Sequence, residues 1–146
     1  MEIFMIQQLS VFVENQQGKL ADVVTALAAA NVDIRALSIA DTQDFGILRL
    51  IVSDIALAQQ TLARAGYIVS VTPVVGVAVP DRPGGLASVI RLLSDNGFNL
   101  EYMYAFLASS RKNAYVVLRV ENAEEVMDFL RQRDVPLLTE EDILRL

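Results

Sequence analysis

The chain has 146 residues, of which 53% are hydrophobic and 21% charged, and its formal net charge is −6. Such a composition suits a packed core, and the acidity argues against nucleic-acid binding, which needs a basic surface. The sequence holds no cysteine and no histidine, which excludes disulfides, imidazole catalysis and the usual zinc ligands. We therefore expect no metal, no cofactor and no catalytic role. Because no apolar run reaches the length of a membrane span, we expect a cytoplasmic protein that binds no membrane.

The first half of the chain alternates between strand-like and helix-like patterns. Strand segments show a period of two or are rich in β-branched residues, whereas helical segments place apolar residues at i, i+3, i+4 and i+7. The segment DTQDF separates two strands and predicts a hairpin loop. The predicted elements are a strand at 6–13, a helix from Gly18 with Leu20, Val23, Val24 and Leu27 on its buried face, strands at 32–40 and 46–52, a helix at 54–65 and a strand at 67–72.

The second half of the chain repeats this order of elements. The acids Glu140, Glu141 and Asp142 also predict a short terminal helix, since acidic residues favour a helix N-terminus. The other predicted elements are a strand at 74–79, a helix at 84–96 with Leu86, Val89, Ile90 and Leu93 on one face, strands at 98–107 and 113–120, a helix at 122–133 and a short strand at 135–138.

The two halves align as copies of one module. VFVENQQGKLADVV, from Val11, matches VAVPDRPGGLASVI, from Val77, at an offset of 66, and GILRLIV matches AYVVLRV at an offset of 68. Matches in the same order with one small insertion indicate a duplication. The predicted fold class is α+β, with two ferredoxin-like β-α-β-β-α-β modules in tandem. We expect domains at 1–72 and 73–146, joined by a short, stiff connection through Pro73.

One turn in each copy is a candidate binding site. ENQQGKL, from Glu14, and PDRPGGL, from Pro80, each join the first strand to the first helix and place a glycine where that helix starts. The free N–H groups and positive dipole of a helix N-terminus attract a carboxylate, and Asp81 or Asn15 could meet an ammonium group. Together these groups would bind an amino acid. Alternatively, Gly84 only makes a tight turn and Asp81 caps the helix.

The segment PDRPGGLASVIRLLSDNGFNLEYMY closely resembles the ACT domain, a ligand-sensing module of amino-acid metabolism. It matches that family's strand, D/N-x-P-G-x-L turn, helix and G-x-N-I/L segment, and the likeness extends over nearly the whole chain. The resemblance implies a free-standing tandem ACT protein, a regulatory sensor without catalytic activity. Its partners would be a free amino acid or similar metabolite and a metabolic enzyme.

In ACT domains that bind amino acids, the ligand lies between two modules, at the first turn of one helix and the start of the neighbour's second strand. The resemblance implies ligand contacts in the second copy at Asp81, Arg82, Gly84, Gly85, Leu86 and Asn99. The matching positions of the first copy are Asn15, Gly18, Lys19, Leu20 and Asp33. The first copy departs from the pattern, since Gln17 replaces the proline and Asp33 the asparagine. Which copy binds is left open, with a preference for the second turn.

Other functions compete with the amino-acid sensor. The chain could instead be an interaction or regulatory subunit that pairs through its sheet edges without a small ligand. A small enzyme is the weakest alternative, because no titratable pair stands at a useful spacing. The aromatic stripe Tyr102, Tyr104 and Phe106 could line a pocket, although such a stripe more often belongs to a core or seals an interface. In each case we expect a homodimer.

Overall fold

The computed structural model describes residues 5–41 and 44–146. Gln7–Thr72 form one compact unit, here the N-terminal unit, and Pro73–Leu146 form the other, the C-terminal unit, which also takes Met5 and Ile6. Residues 1–4 of the predicted first domain lie outside the described residues. The same holds for residues 42 and 43 of the predicted hairpin loop.

The N-terminal unit places two helices on an antiparallel sheet. Strand β3 lies between β1 and β2, with Val11 opposite Leu48 and Leu37 opposite Leu50. The side chains of these four residues belong to the core under the helices, where Leu27 and Leu62 are fully buried. The elements of this unit are β1 (Met5–Glu14) from Gln7 onward, α1 (Lys19–Ala29), β2 (Ile34–Asp41), β3 (Phe45–Val52), α2 (Ile55–Arg64) and the beginning of β4 (Ile68–Pro80).

The C-terminal unit repeats this arrangement. Its central strand β6 pairs antiparallel with the end of β4 and with β5, and Val77 stands opposite Val116. The core between sheet and helices contains Val77, Leu93, Leu118 and Leu130. The remaining elements are α3 (Gly85–Asp95), β5 (Leu100–Ala105), β6 (Asn113–Val120), α4 (Ala123–Gln132) and α5 (Glu140–Arg145). The predicted α+β fold with two β-α-β-β-α-β modules is confirmed.

The chain passes between the modules along a strand, whereas the sequence predicted two strands on either side of Pro73. β4 is continuous from Ile68 to Pro80. A proline is compatible with an extended strand wherever its missing N–H is not needed by a neighbour. The carbonyl oxygen of Pro73 accepts a 3.4 Å hydrogen bond from Nη1 of Arg119. The predicted stiff connection is therefore regular β-structure.

The last predicted strand, at 135–138, is reduced to a single bridge between Leu137 and Val77. The N–H of Ala78 donates to the carbonyl of Pro136 at 3.0 Å, and the N–H of Leu138 donates to Gly76 at 2.8 Å. Pro136 has no N–H to donate, which limits a longer ladder. The predicted terminal helix is confirmed as α5, which begins with a capping box between Thr139 and Asp142.

The buried faces of α1 and α3 differ from the prediction at the first turn. Leu20 is 38% exposed and Leu86 40%, so placing them on the buried faces was wrong. The buried face of α3 instead runs from Gly85 through Val89 to Leu93. Since successive helical residues are about 100° apart, Leu86 turns away once Gly85 faces the sheet. Both leucines are left beside the two candidate turns.

Candidate functional site

The turn between β4 and α3 is fixed by three backbone hydrogen bonds. The N–H of Arg82 donates to the carbonyl of Pro80 at 2.9 Å, and the N–H of Gly85 donates to Arg82 at 3.0 Å. The N–H of Asp81 donates to the carbonyl of Lys112 at 2.8 Å, which ties the turn to the loop before β6. These bonds hold the start of α3 without using any side chain.

Gly84 is the N-cap of α3 and leaves the helix end open. Its φ of 88° lies in the left-handed region that favours glycine. The first helical hydrogen bond is donated by the N–H of Ser88 to Gly84, at 3.0 Å. The N–H groups of Leu86 and Ala87 precede that bond, and no side chain caps the helix. This is an arrangement in which an N-terminus can accept a carboxylate. The alternative that Asp81 caps the helix is wrong.

Gly85 is required by the chain itself. A Cβ atom at this position would overlap the carbonyl oxygen of Pro80 and lie 3.0 Å from its carbonyl carbon. The helix therefore begins directly against the end of β4. The close approach that requires glycine at residue 85 is between two parts of the backbone.

The turn of the N-terminal unit has the same backbone. Gly18 is the N-cap of α1, with a φ of 87° and no side-chain cap. The N–H of Asn15 donates to the carbonyl of Asp44 at 3.0 Å, and the N–H of Asp22 donates to Gly18 at 2.9 Å. The position that Gly85 occupies in the second copy is held by Lys19 here. The two turns therefore share their hydrogen bonds and differ in their side chains.

A shallow cavity of about 370 Å³, wide open to solvent, adjoins the second turn. Arg111 and Lys112 belong to the tip of the β5–β6 hairpin, and the structure brings them beside Asp81 and Arg82. The pairing of β4 with β6 explains this, since Pro80 stands opposite Asn113. The sequence reasoning missed this proximity, although an antiparallel register would have indicated it. The cavity is lined by Pro80, Asp81, Arg82, Arg111, Lys112 and Asn113.

An open groove of about 590 Å³ follows the outer surface of α3. It starts at Gly84 and extends along the helix to Ser94, with Ala87, Ser88, Ile90 and Arg91 on its walls. Most of these side chains are short. A small ligand at the helix N-terminus would therefore have free space on the groove side as well.

Asn99 lies apart from the turn. It borders a small cavity of about 80 Å³ together with Glu121 and Asn122. Leu100, the next residue, stands opposite Val120 at one end of β6. The turn lies at the other end of β6, beside Asn113. The structure thus brings together Asp81, Arg82, Gly84, Gly85 and Leu86, but it does not bring Asn99 to them.

The equivalent residue of the first copy, Asp33, is engaged within its own unit. Its carboxylate forms a 2.7 Å ion pair with Arg35. Its N–H donates to Oγ of Ser53 at 2.9 Å, and its carbonyl accepts from the N–H of Ser53 at the same distance. Asp33 therefore closes the end of the β2–β3 pair, whereas Asn15, Gly18, Lys19 and Leu20 lie in or next to the first turn.

Two residues of the aromatic stripe are buried, Tyr104 on β5 and Phe106 directly after it. Tyr104 is 9% exposed and Phe106 7%, and Tyr104 stands opposite Val117 in the sheet. These two side chains belong to the buried part of the C-terminal unit. Their burial agrees with the favoured prediction that the stripe has a structural role.

The described residues form neither a metal site nor a membrane span. Across 5–41 and 44–146, no three acidic side chains come together in a way that would hold a metal ion. Within the same ranges, no helix has the length and hydropathy that a membrane-spanning segment requires.

The chain is similar to known proteins over nearly its whole length. A family profile described as "ACT domain pair" matches residues 4–146, and no curated protein matches the chain. The crystal structure of a protein from Bacteroides thetaiotaomicron is similar, with 40% identity, a TM-score of 0.91 and 98% of each chain covered. The regulatory subunit of aspartate kinase from Thermus thermophilus has 18% identity and a TM-score of 0.64, with 90% of this chain and 95% of that one covered. Its counterpart from Thermus flavus has 20% identity and a TM-score of 0.57, with 86% and 90% covered. These two likenesses show the fold alone.

Proposed function

Since this chain belongs to the family of ACT domain pairs, we propose that it is a regulatory protein that binds a free amino acid or a similarly small metabolite. The family match over nearly the whole chain supports a regulatory, ligand-binding role in place of a catalytic one. Within this proposal, each half, 1–72 and 73–146, is one ACT domain, and the location is cytoplasmic.

The observation that carries the proposal is the open N-terminus of α3. Gly84 offers no capping side chain, and the N–H groups of Leu86 and Ala87 precede the first helical hydrogen bond. The α-carboxylate of an amino acid would accept hydrogen bonds from these groups and interact favourably with the helix dipole. Asp81, in the same turn, would accept a hydrogen bond from the ammonium group.

A second copy of the chain would complete the site. Asn99 lies at the far end of β6 from the turn of its own unit, so it cannot reach a ligand bound at that turn. In a homodimer, Asn99 of one copy would face the helix N-terminus of the other. We therefore propose a homodimer with the ligand at its interface, which is the arrangement that the family resemblance implies.

The second turn is the better candidate of the two. In the first copy, the position of Asn99 is taken by Asp33, whose carboxylate is already paired with Arg35 at 2.7 Å. Lys19 also adds a long side chain where the second turn has Gly85. We propose that the first turn does not bind the amino acid.

The test is a calorimetric and thermal-shift titration of the chain with each of the twenty common amino acids. For a dissociation constant near 100 μM, a ligand at 10 mM should stabilise the fold by about 2.7 kcal/mol, a rise in Tm of roughly 5–10 °C. The expected result is such a shift with one amino acid or a few chemically related ones. Light scattering should report a dimer.

Two matched variants locate the site. Gly84→Ala and Gly18→Ala each add a Cβ at a left-handed residue, and neither Cβ meets another atom within 4 Å. Both should lower stability by about 1 kcal/mol. Only Gly84→Ala should weaken amino-acid binding, because Gly84 is the N-cap residue of the helix end at which the carboxylate is proposed to bind. Equal binding by both variants would exclude the second turn, and no response to any amino acid would overturn the proposal.

The alternative of a non-enzymatic interaction subunit is favoured by the sheet edges. Among the described strands, β2 pairs only with β3 and β5 only with β6, so each leaves one edge of backbone groups available for another chain. A metabolic enzyme is the partner class to try first. Hydrogen-exchange protection of β2 or β5 by such a partner, without a response to any amino acid, would favour this alternative.

A further inference from the structure

The cavity beside the second turn has an unusual charge for this acidic chain. Three of its lining residues are cations, Arg82, Arg111 and Lys112, and Asp81 is the acid among them. All four side chains belong to exposed residues. Across the part of the chain that the structure describes, none of the four forms an ion pair. Like charges gathered without partners repel each other, so an anion bound among them would be stabilising.

The first turn supplies a comparison on the same backbone. There the carbonyl that accepts the equivalent backbone hydrogen bond belongs to Asp44, whereas in the second copy it belongs to Lys112. Likewise, Gln16 stands where the second copy has Arg82. Because only backbone atoms make these bonds, the geometry of the turn does not require cations. The three cations of the second copy are therefore free to take part in binding without changing the turn.

We propose that the second turn selects amino acids that carry a second acidic group, a side-chain carboxylate or phosphate. This inference rests on the proposed function, since it assigns the ligand class of the same site. The α-carboxylate would lie at the N-terminus of α3, and the second anion would bind among Arg82, Arg111 and Lys112. Guanidinium groups bind carboxylates and phosphates in a bidentate manner, which makes two arginines and a lysine a suitable set.

The distribution of charge in the chain supports this choice. The chain has a net charge of −6, which on its own disfavours the binding of anions. A local group of cations beside a helix N-terminus opposes this effect where an anion would bind. The cations would add little to the binding free energy of a neutral amino acid. An amino acid with a second negative charge would be stabilised both at its α-carboxylate, by the helix N-terminus, and at its side-chain anion, by the cations.

The experiment compares ligands that differ by one acidic group. Calorimetric titrations would use L-aspartate against L-asparagine, L-glutamate against L-glutamine, and O-phospho-L-serine against L-serine. We expect the acidic member of at least one pair to bind about tenfold more tightly than its neutral counterpart. The first two pairs test a side-chain carboxylate and the third tests a side-chain phosphate, so the titrations show which of the two anions the site prefers. Raising sodium chloride from about 50 to 300 mM should reduce this preference.

Variants then assign the preference to the cavity. Arg82→Gln and Lys112→Asp introduce the residue types of the first copy, Gln16 and Asp44, and should together reduce the preference to about twofold or less. Arg64→Gln removes one positive charge from the exposed end of α2 in the other unit and should leave the preference unchanged. Circular dichroism would verify that each variant is folded.

Three outcomes would overturn the inference, and they differ in whether they also contradict the proposed function. Neutral amino acids that bind as tightly as the acidic ones would exclude it and leave the amino-acid sensor intact. An acidic preference that survives the double variant would exclude the cavity as its origin. If no amino acid of either kind binds, both the inference and the proposed function are wrong.

Discussion

The backbone N–H of Asp81 donates a 2.8 Å hydrogen bond to the carbonyl oxygen of Lys112. This bond joins the turn that starts α3 to the loop that starts β6, although 31 positions separate the two residues in the sequence. The first copy repeats it between Asn15 and Asp44 at 3.0 Å. Since the bond uses no side chain, evolution is free to change the charges at these four positions while the turn keeps its shape.

The close approach of α3 to the end of β4 leads to a first prediction. In Gly85→Ala, the new Cβ would overlap the carbonyl oxygen of Pro80, which is backbone and cannot rotate away. We expect the free energy of unfolding to fall by about 2–4 kcal/mol, as for other overpacked sites. Chemical denaturation with urea would measure the loss.

Lys19→Ala is the matched control, because Lys19 holds the equivalent position of the first turn. A partly exposed side chain there already has a Cβ, so its truncation should change the free energy of unfolding by less than about 0.5 kcal/mol. A Gly85→Ala variant as stable as Lys19→Ala would contradict the close approach.

The sequence predicted the architecture well because it is duplicated. Each half has the same strand-like and helix-like hydrophobic patterns in the same order. A segment whose pattern is ambiguous between helix and strand in one copy can therefore be assigned from the other copy. The boundaries were less certain. Pro73 suggested a break where β4 is continuous, because the sequence does not reveal which N–H groups a strand needs. Leu86 was wrongly placed on the buried face for a related reason. The hydrophobic period of a helix does not show which residue of the first turn points toward the sheet.

Gly76 gives a second prediction, in the C-terminal unit. A Cβ on Gly76 would lie 2.6 Å from Cδ1 of Ile6 and 3.2 Å from Cβ of Leu138. Both neighbours are nearly fully buried. Gly76→Ala should therefore lower the free energy of unfolding by about 1–3 kcal/mol. Adding Ile6→Val removes the nearest methyl group, so the cost of Gly76→Ala should be smaller by about 1 kcal/mol in that background.

Gly46→Ala is the control for this cycle, since it is also a glycine within a strand. Its Cβ would meet Cδ1 of Ile39 at 3.4 Å, an ordinary contact with a half-exposed side chain. Thermal and urea unfolding should show a change of less than about 0.5 kcal/mol. Additive effects of Gly76→Ala and Ile6→Val would show that the two sites do not interact.

The candidate site was predicted only in part. The turn residues from Asp81 to Leu86 are contiguous, so their proximity follows from the chain. By contrast, the positions of Arg111 and Lys112 beside Arg82 depend on the register of β4 against β6, which sets which loops meet at one end of the sheet. The separation of Asn99 from the turn has the same origin. A motif identifies residue types, whereas the register decides which of them are neighbours.

The two copies also differ at the start of their second helices, which gives a last prediction. In α2, Oδ1 of the N-cap residue Asp54 accepts a 3.1 Å hydrogen bond from the N–H of Leu57. Its counterpart in α4, Asn122, makes no such bond. Asp54→Ala should therefore lower the free energy of unfolding by about 1 kcal/mol, and Asn122→Ala by clearly less. Asp54→Asn keeps an acceptor oxygen and should recover most of the loss. If Asp54→Ala and Asn122→Ala lower the free energy of unfolding by the same amount in urea, the hydrogen bond from Leu57 to Asp54 does not stabilise the fold and the prediction is wrong.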